Sequence, residues 1–143
     1  MSTETEIRHA TCVAIDGCGV LITGPSGAGK SALALQLIGM GAQLVSDDRT
    51  EIFGAAPDLM ARAPESIAGL IEARGVGIIE LPYLAQARLT LVVDMAQTER
   101  QRLPEAHFTR LLDKPLSCLH KIDAPYFAAA VNAYVRGSRT EHA

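Results

Sequence analysis

Apolar positions in this chain come in short dense runs, separated by glycines, prolines and charged residues. Residues 10–16 (ATCVAID) and 20–23 (VLIT) predict two strands, joined by a tight turn at 17–19 (GCG). Residues 31–40 (SALALQLIGM) have the length and leucine content of a helix. Gly41 stands where such a helix closes on a left-handed residue. Residues 43–46 (QLVS) predict a strand that runs into Asp47 and Asp48, and 50–53 (TEIF) a further extended piece. The Pro- and Ala-rich stretch 56–69 reads as loop with short extended or helical parts.

Farther along, 75–81 (GVGIIEL) and 89–95 (LTLVVDM) read as buried strands. Residues 96–114 are polar and read as partly helical, broken near Pro104, and 116–122 (LSCLHKI) as another strand. The last helix is expected over 123–137, with Asp123 as its N-cap and Pro125 in its first turn. No repeat or linker interrupts the pattern. The expectation is one α/β domain over 1–143, mostly β in its front half, with no separate N-terminal domain.

Composition narrows the function classes. Of 143 residues, 48% are hydrophobic and 20% charged, the balance of a globular core with a solvated surface. A net charge of −3 lacks the basic footprint of a nucleic-acid binder. Cys12, Cys18 and Cys118 are an odd number without paired metal-ligand spacing, and read as reduced thiols. The start has no signal-peptide pattern, and no apolar run approaches the roughly 18 residues of a membrane span. A cytoplasmic protein with no membrane partner is expected.

The strongest chemical signal is GPSGAGKS at 24–31, which fits G-x-x-x-x-G-K-[ST] at every position. The run is Gly24, Pro25, Ser26, Gly27, Ala28, Gly29, Lys30 and Ser31. Its glycines let successive backbone N–H groups turn inward around phosphate oxygens, where a Cβ would clash. Lys30 supplies a point charge for the β- and γ-phosphates and Ser31 a hydroxyl for Mg²⁺. The helix that follows aims its positive end at the anion. A strand before and an apolar helix after are the context this motif needs. A nucleoside triphosphate with Mg²⁺ is the expected ligand.

Phosphoryl transfer also needs a second metal ligand and a group that orients or deprotonates the acceptor. Asp47 and Asp48 lead the candidates. Neighbours on an extended chain point to opposite faces, so both converge only if the strand ends in a turn there. A solvated strand end paired with Arg49 is the bland alternative. Asp94, closing an apolar run, has the form of a metal-binding strand end, although such aspartates also serve ordinary turns. Glu72, beside Arg74, Gly75 and Gly77, is a third candidate, or half of a surface ion pair.

Together these residues resemble the catalytic domain of HPr kinase/phosphorylase, which phosphorylates a serine on the phosphocarrier protein HPr. The resemblance rests on His9 fifteen residues ahead of Gly24, the loop GPSGAGKS, the pair in LVSDDRTEI, and IEARGVGIIEL. The last is close to that family's Glu-x-Arg-Gly-x-Gly motif, with Ala73 and Glu80 as minor departures. The match runs from about 8 to 81 and implies a mixed central sheet similar to the PEP-carboxykinase-like core. It implies ATP held by Lys30 and the loop backbone, with Mg²⁺ at Ser31 and Glu72. His9 would lie near the reacting phosphates, and Arg74 is expected among the catalytic residues. Either Asp47 or Asp48, with Asp48 preferred, would be the base that takes the serine proton and returns it in reverse. A homo-oligomer acting in regulation of the phosphotransferase system is also implied.

Two departures bear on these expectations. The chain begins almost at His9, like the short alphaproteobacterial form, without the additional N-terminal domain of longer members. The family also carries an arginine before its final helix that serves phosphorolysis, and the corresponding LHKIDAPY has none. His120 and Lys121 are the cations nearby, and neither offers a bidentate fork. The alternatives are a small-molecule kinase or ATPase using Asp94, and a silent nucleotide sensor that binds HPr.

Overall fold

Two-residue turns, rather than helices, organise most of this chain. The computed structural model describes residues 4–137, so both ends of the expected 1–143 domain lie outside the described residues. After β1 (Thr5–Arg8), β2 (Thr11–Ile15) and β3 (Cys18–Thr23) form an antiparallel hairpin. Its turn is Asp16-Gly17, with φ of 53° and 80°, and not the expected 17–19. An Asp-Gly pair with both φ values positive matches the twist of the flanking strands, which leaves Cys18 and Gly19 inside β3. Helix α1 (Lys30–Gly39) follows. Gly41, at φ 105°, donates to Ile38 and Ala42 donates to Leu37, the paired bonds that close a helix end.

β4 (Gln43–Ser46), β5 (Thr50–Ala55) and β6 (Asp58–Arg62) come next, then β7 (Leu70–Ala73) and β8 (Gly77–Glu80). The long β9 (Ala87–Thr98), β10 (His107–Leu111), β11 (Lys114–Lys121) and helix α2 (Phe127–Gly137) complete the chain. The main sheet has nine strands, in the order β1-β5-β6-β9-β3-β2-β4, with β11 also on β9 and β10 outside it. β9 is the hub. β3 runs parallel along one edge; β6, at Ala87 and Arg88, and β11, from Leu91 onward, divide the other.

Alternation along the central strands feeds two cores. Val13, Ile15, Val20, Ile22, Leu91 and Val93 pack under α1 and α2. Cys12, Ala14, Leu21 and Val92 face the other way, against Ile52, Leu59 and Ala61 of the curled β5–β6 hairpin. With both faces covered, continuous apolar runs are what these strands require.

The stretch 56–69 holds a short extended part, as expected: it is β6, whose Leu59 and Ala61 point inward among partly exposed neighbours. Three other expectations are corrected. Residues 96–114 form no helix: β10 and β11 make a hairpin through Leu112 and Asp113, both at positive φ. Only one of those two residues is a customary turn former, so the sequence carried little turn signal. β8 is not buried, because β7 and β8 form a separate two-stranded ribbon that leaves Val76 78% and Ile78 72% exposed. α2 begins at Phe127, and Asp123 pairs with Lys121 Nζ at 3.3 Å, ahead of the helix. Among the described residues, no helix is long and apolar enough to cross a membrane.

The three cysteines are free thiols. Burial pushes the Cys12 thiol up to about 12, and burial with the nearby Asp94 charge pushes Cys118 up to about 11. At pH 8 each is thiolate in roughly one part in 10³ or fewer. Native protein is therefore expected to alkylate slowly at Cys12 and Cys118 and rapidly at both once unfolded, as mass spectrometry of iodoacetamide-treated samples would read. Comparable native and unfolded rates would refute that. Because both values are raised, the stability they carry is complete below the unfolded thiol value of about 9 and falls as pH climbs above it.

Candidate active site

Between β3 and α1 the chain makes the loop 24–29. Gly24, Gly27 and Gly29 have φ of 140°, 84° and 95°, which other residues rarely adopt, and a Cβ on Gly24 would sit 3.0 Å from that of Met95. The start of α1 has no side-chain cap and no acid in its first turn, so its first N–H groups face outward unneutralised. Lys30 is buried, and its ammonium donates to the carbonyls of Gly24 (2.8 Å) and Pro25 (3.1 Å). That curls the loop around a positive charge.

Beside the loop the two aspartates separate. β4 ends at Ser46, and a three-residue turn follows in which Arg49 N–H donates to Asp47 C=O (2.8 Å) and Asp48 has φ 69°. The Ser46 hydroxyl also donates to the Arg49 carbonyl and holds the turn shut. Asp47 points inward and is buried. Its Oδ1 accepts from the hydroxyls of Ser31 (2.6 Å) and Thr11 (3.0 Å), and its Oδ2 from the Glu72 backbone N–H (3.1 Å). One carboxylate thereby ties together α1, β2 and the β7–β8 ribbon.

Asp48 points outward, its side chain 70% exposed, with its backbone N–H donated to Thr11 Oγ1 at 3.2 Å. His9, between β1 and β2, brings Nδ1 to 4.0 Å from Asp48 Oδ1. A cavity of about 520 Å³ opens here, and Lys30, Ser31, Thr11, Asp48, Glu72 and Arg74 line it. Arg74 and Gly75 form the centre of the ribbon's turn, closed by Val76 N–H to Ala73 C=O at 2.9 Å. The turn carries Arg74 to the rim.

The other candidates lie elsewhere. Asp94 pairs in register with Thr23, but its oxygens accept locally from Ala96 N–H and the Gln97 amide, both at 2.9 Å, and it does not line the cavity. His120 stacks on His107 and lines neither cavity beside the loop. Lys121 lines a neighbouring cavity of about 420 Å³ with Ala28 and Gly29 of the loop. The residue missed from sequence is Thr11, fully buried and bonded to both aspartates. Its signal was a hydroxyl at the head of an otherwise apolar strand.

A family model described as HPr Serine kinase C-terminal domain matches residues 1–115. The chain belongs to the HPr serine kinase C-terminal domain family. Among relatives of this family, the HPr kinase/phosphorylase of Geobacillus kaustophilus is 43% identical over 115 residues, 75% of this chain and 36% of that protein. That of Clostridium perfringens is 46% identical over 84 residues, 59% of this chain and 27% of that protein. The chain spans roughly a third or less of the length of such curated relatives. The solved Hpr(Ser) kinase/phosphatase from Coxiella burnetii superposes with a TM-score of 0.78 at 26% identity, over 92% of this chain and 88% of that one. The HPr kinase fold, α/β with a mixed curled sheet, is thus common to both.

Proposed function

We propose that this chain is an ATP- and Mg²⁺-dependent protein serine kinase that phosphorylates HPr or a related carrier, on a PEP-carboxykinase-like core. The observation that carries the reading is one cavity holding an outward-facing Asp48, backed by His9, opposite Lys30 and the uncapped start of α1. The names of the relatives point to the same substrate.

The residues present fit a triphosphate. Positive φ at three loop glycines shapes a cradle that residues with a Cβ would rarely adopt, and the first turn of α1 carries no acid of its own. Lys30 would exchange the Gly24 and Pro25 carbonyls for phosphate oxygens. Ser31 Oγ and the Glu72 carboxylate are oxygen donors that suit Mg²⁺. Bound there, the ion would neutralise charge on the phosphate oxygens. Asp48 takes the proton from the incoming serine hydroxyl, with His9 Nδ1 standing 4.0 Å from its carboxylate. In reverse, Asp48 returns that proton. Arg74 at the rim would meet the phosphoryl group or the carrier. Val76 and Ile78 give the rim an apolar, protruding edge, which favours a protein acceptor over a small molecule. For phosphorolysis, Lys121, which lines the neighbouring cavity with Ala28 and Gly29 and pairs with Asp123, would be the cation to receive inorganic phosphate.

The test is incubation with γ-labelled ATP, Mg²⁺ and purified HPr. Label on an HPr serine is expected. A chain that binds ATP and leaves HPr unlabelled would instead be a nucleotide sensor, and the kinase reading would fall.

A further inference from the structure

Around the end of β11, three side chains with metal-ligating atoms converge. Glu99 follows the last residue of β9, His107 opens β10, and His120 lies near the end of β11. Their ligating atoms all lie within 4.8 Å of one another, and all three residues are half-buried. We propose that Glu99, His107 and His120 form a binding site for a single divalent transition-metal ion of the zinc type, distinct from the Mg²⁺ expected at Ser31 and Glu72.

Sheet geometry sets the arrangement without help from an ion. His107 pairs in register with Cys118, so His120 is its diagonal neighbour on the same face, within reach of a long side chain. The two imidazoles stack at 4.0 Å between centroids and 10° between planes. Glu99 is fixed at both ends. Its backbone N–H donates to the Lys121 carbonyl at 2.8 Å, and its Oε2 accepts from the N–H groups of Arg100 (3.1 Å) and Gln101 (3.2 Å). That leaves Oε1 directed at His107 Nε2, 2.7 Å away. These anchors supply the orientation that ligands of metal centres normally receive from outer hydrogen bonds. A modest opening of the Nε2–Oε1 pair and a tilt of the rings would admit an ion.

Donor chemistry selects the ion. Two imidazole nitrogens and one carboxylate oxygen form a set suited to Zn²⁺, Co²⁺ or Ni²⁺, whereas Mg²⁺ and Ca²⁺ prefer oxygen alone. Three protein ligands leave a fourth position open. The three residues also line a cavity of about 450 Å³ with Phe127, Val131 and Tyr134 of α2, which has room for water or a small ligand at that position. A plain hydrogen-bonded His–Glu pair would need neither the second imidazole nor this opening.

Co²⁺ is a suitable probe because its visible absorption reports coordination. The protein, residues 1–143, stripped with chelator and dialysed, is titrated with Co²⁺ and then with Zn²⁺. One equivalent of Co²⁺ is expected to give the bands of a four- or five-coordinate ion, and Zn²⁺ to abolish them. His107→Ala and His120→Ala should each weaken binding by about 100-fold or more, beyond the usual cost of losing an outer hydrogen bond. Glu99→Gln keeps a side-chain acceptor beside His107 and should also weaken binding, which serves if an alanine variant fails to fold. His9→Ala and Asp48→Asn should bind as the parent does. Absence of saturable bands overturns the proposal, as does their survival in all three ligand variants or their loss in His9→Ala.

Discussion

Asp48→Asn is expected to lower phosphate transfer to HPr by roughly 10²–10⁴-fold, the contribution typical of a positioned general base. ATP affinity and melting temperature should change little. Both parts follow from where the carboxylate sits. It is exposed, it lines the cavity beside Lys30 and Ser31, and its only polar neighbour at ion-pair range among the described residues is His9. Asparagine keeps the shape and tolerates a left-handed φ of 69° at least as well as aspartate. What it lacks is the basic oxygen. A quench-flow or steady-state assay with labelled ATP, paired with nucleotide titration, separates the two effects. Transfer within a few-fold of the parent would remove Asp48 from the chemistry.

Asp47→Ala is expected to act on the fold instead. The carboxylate is buried, and three donors from three elements converge on it: Thr11 Oγ1, Ser31 Oγ and the Glu72 N–H. Alanine would leave these donors without their acceptor, with only water from the cavity that Thr11, Ser31 and Glu72 line to take its place. Hydrogen bonds to a charged group are worth about 1.5–3 kcal/mol each, and some of that returns through local relaxation. A net loss of about 2–4 kcal/mol is reasonable, or roughly 5–12 °C in melting temperature for a chain of this length. Asp47→Asn, which retains one oxygen acceptor, should lose less. Calorimetry decides, and an unchanged melting temperature for Asp47→Ala would refute the bracing role.

Neighbouring carboxylates that face opposite ways show what could be read from sequence and what could not. The loop 24–31, the pair at 47–48 and the glycine-punctuated ribbon are local motifs, so residue types and spacing were enough to single them out, and the structure brings residues of all three to one cavity. Which aspartate faces the cavity depends on a turn closed by Ser46 and Arg49 and on Thr11, thirty-six positions away from Asp47. No local pattern encodes that contact. The same division holds for the fold. β2, β3 and β9 are buried on both faces and announce themselves as apolar runs. β6 and β10 are half-exposed strands with partners supplied by the tertiary structure, and their mixed polarity resembled loop or helix. In the opposite direction, Ile78 and Ile79 suggested a buried strand where the chain forms a protruding ribbon. Apolar character alone cannot distinguish a core from a surface that another molecule is to cover.

The way β9 divides its outer edge bears on how this chain can diverge. β6 joins at its first residues and carries β5 and β1 with it, while β11 attaches from Leu91 onward and carries β10, with α2 following to lie against α1. The family match ends at residue 115, where β11 is just beginning. The last strand and helix lie largely beyond that match, held to the sheet through β9 and to the core through α2 against α1. Lys121 and His120 both lie on that strand. A lineage could exchange the cation that faces the loop, or add and remove metal ligands on the same strand, while Lys30, Asp47 and Asp48 stay where they are.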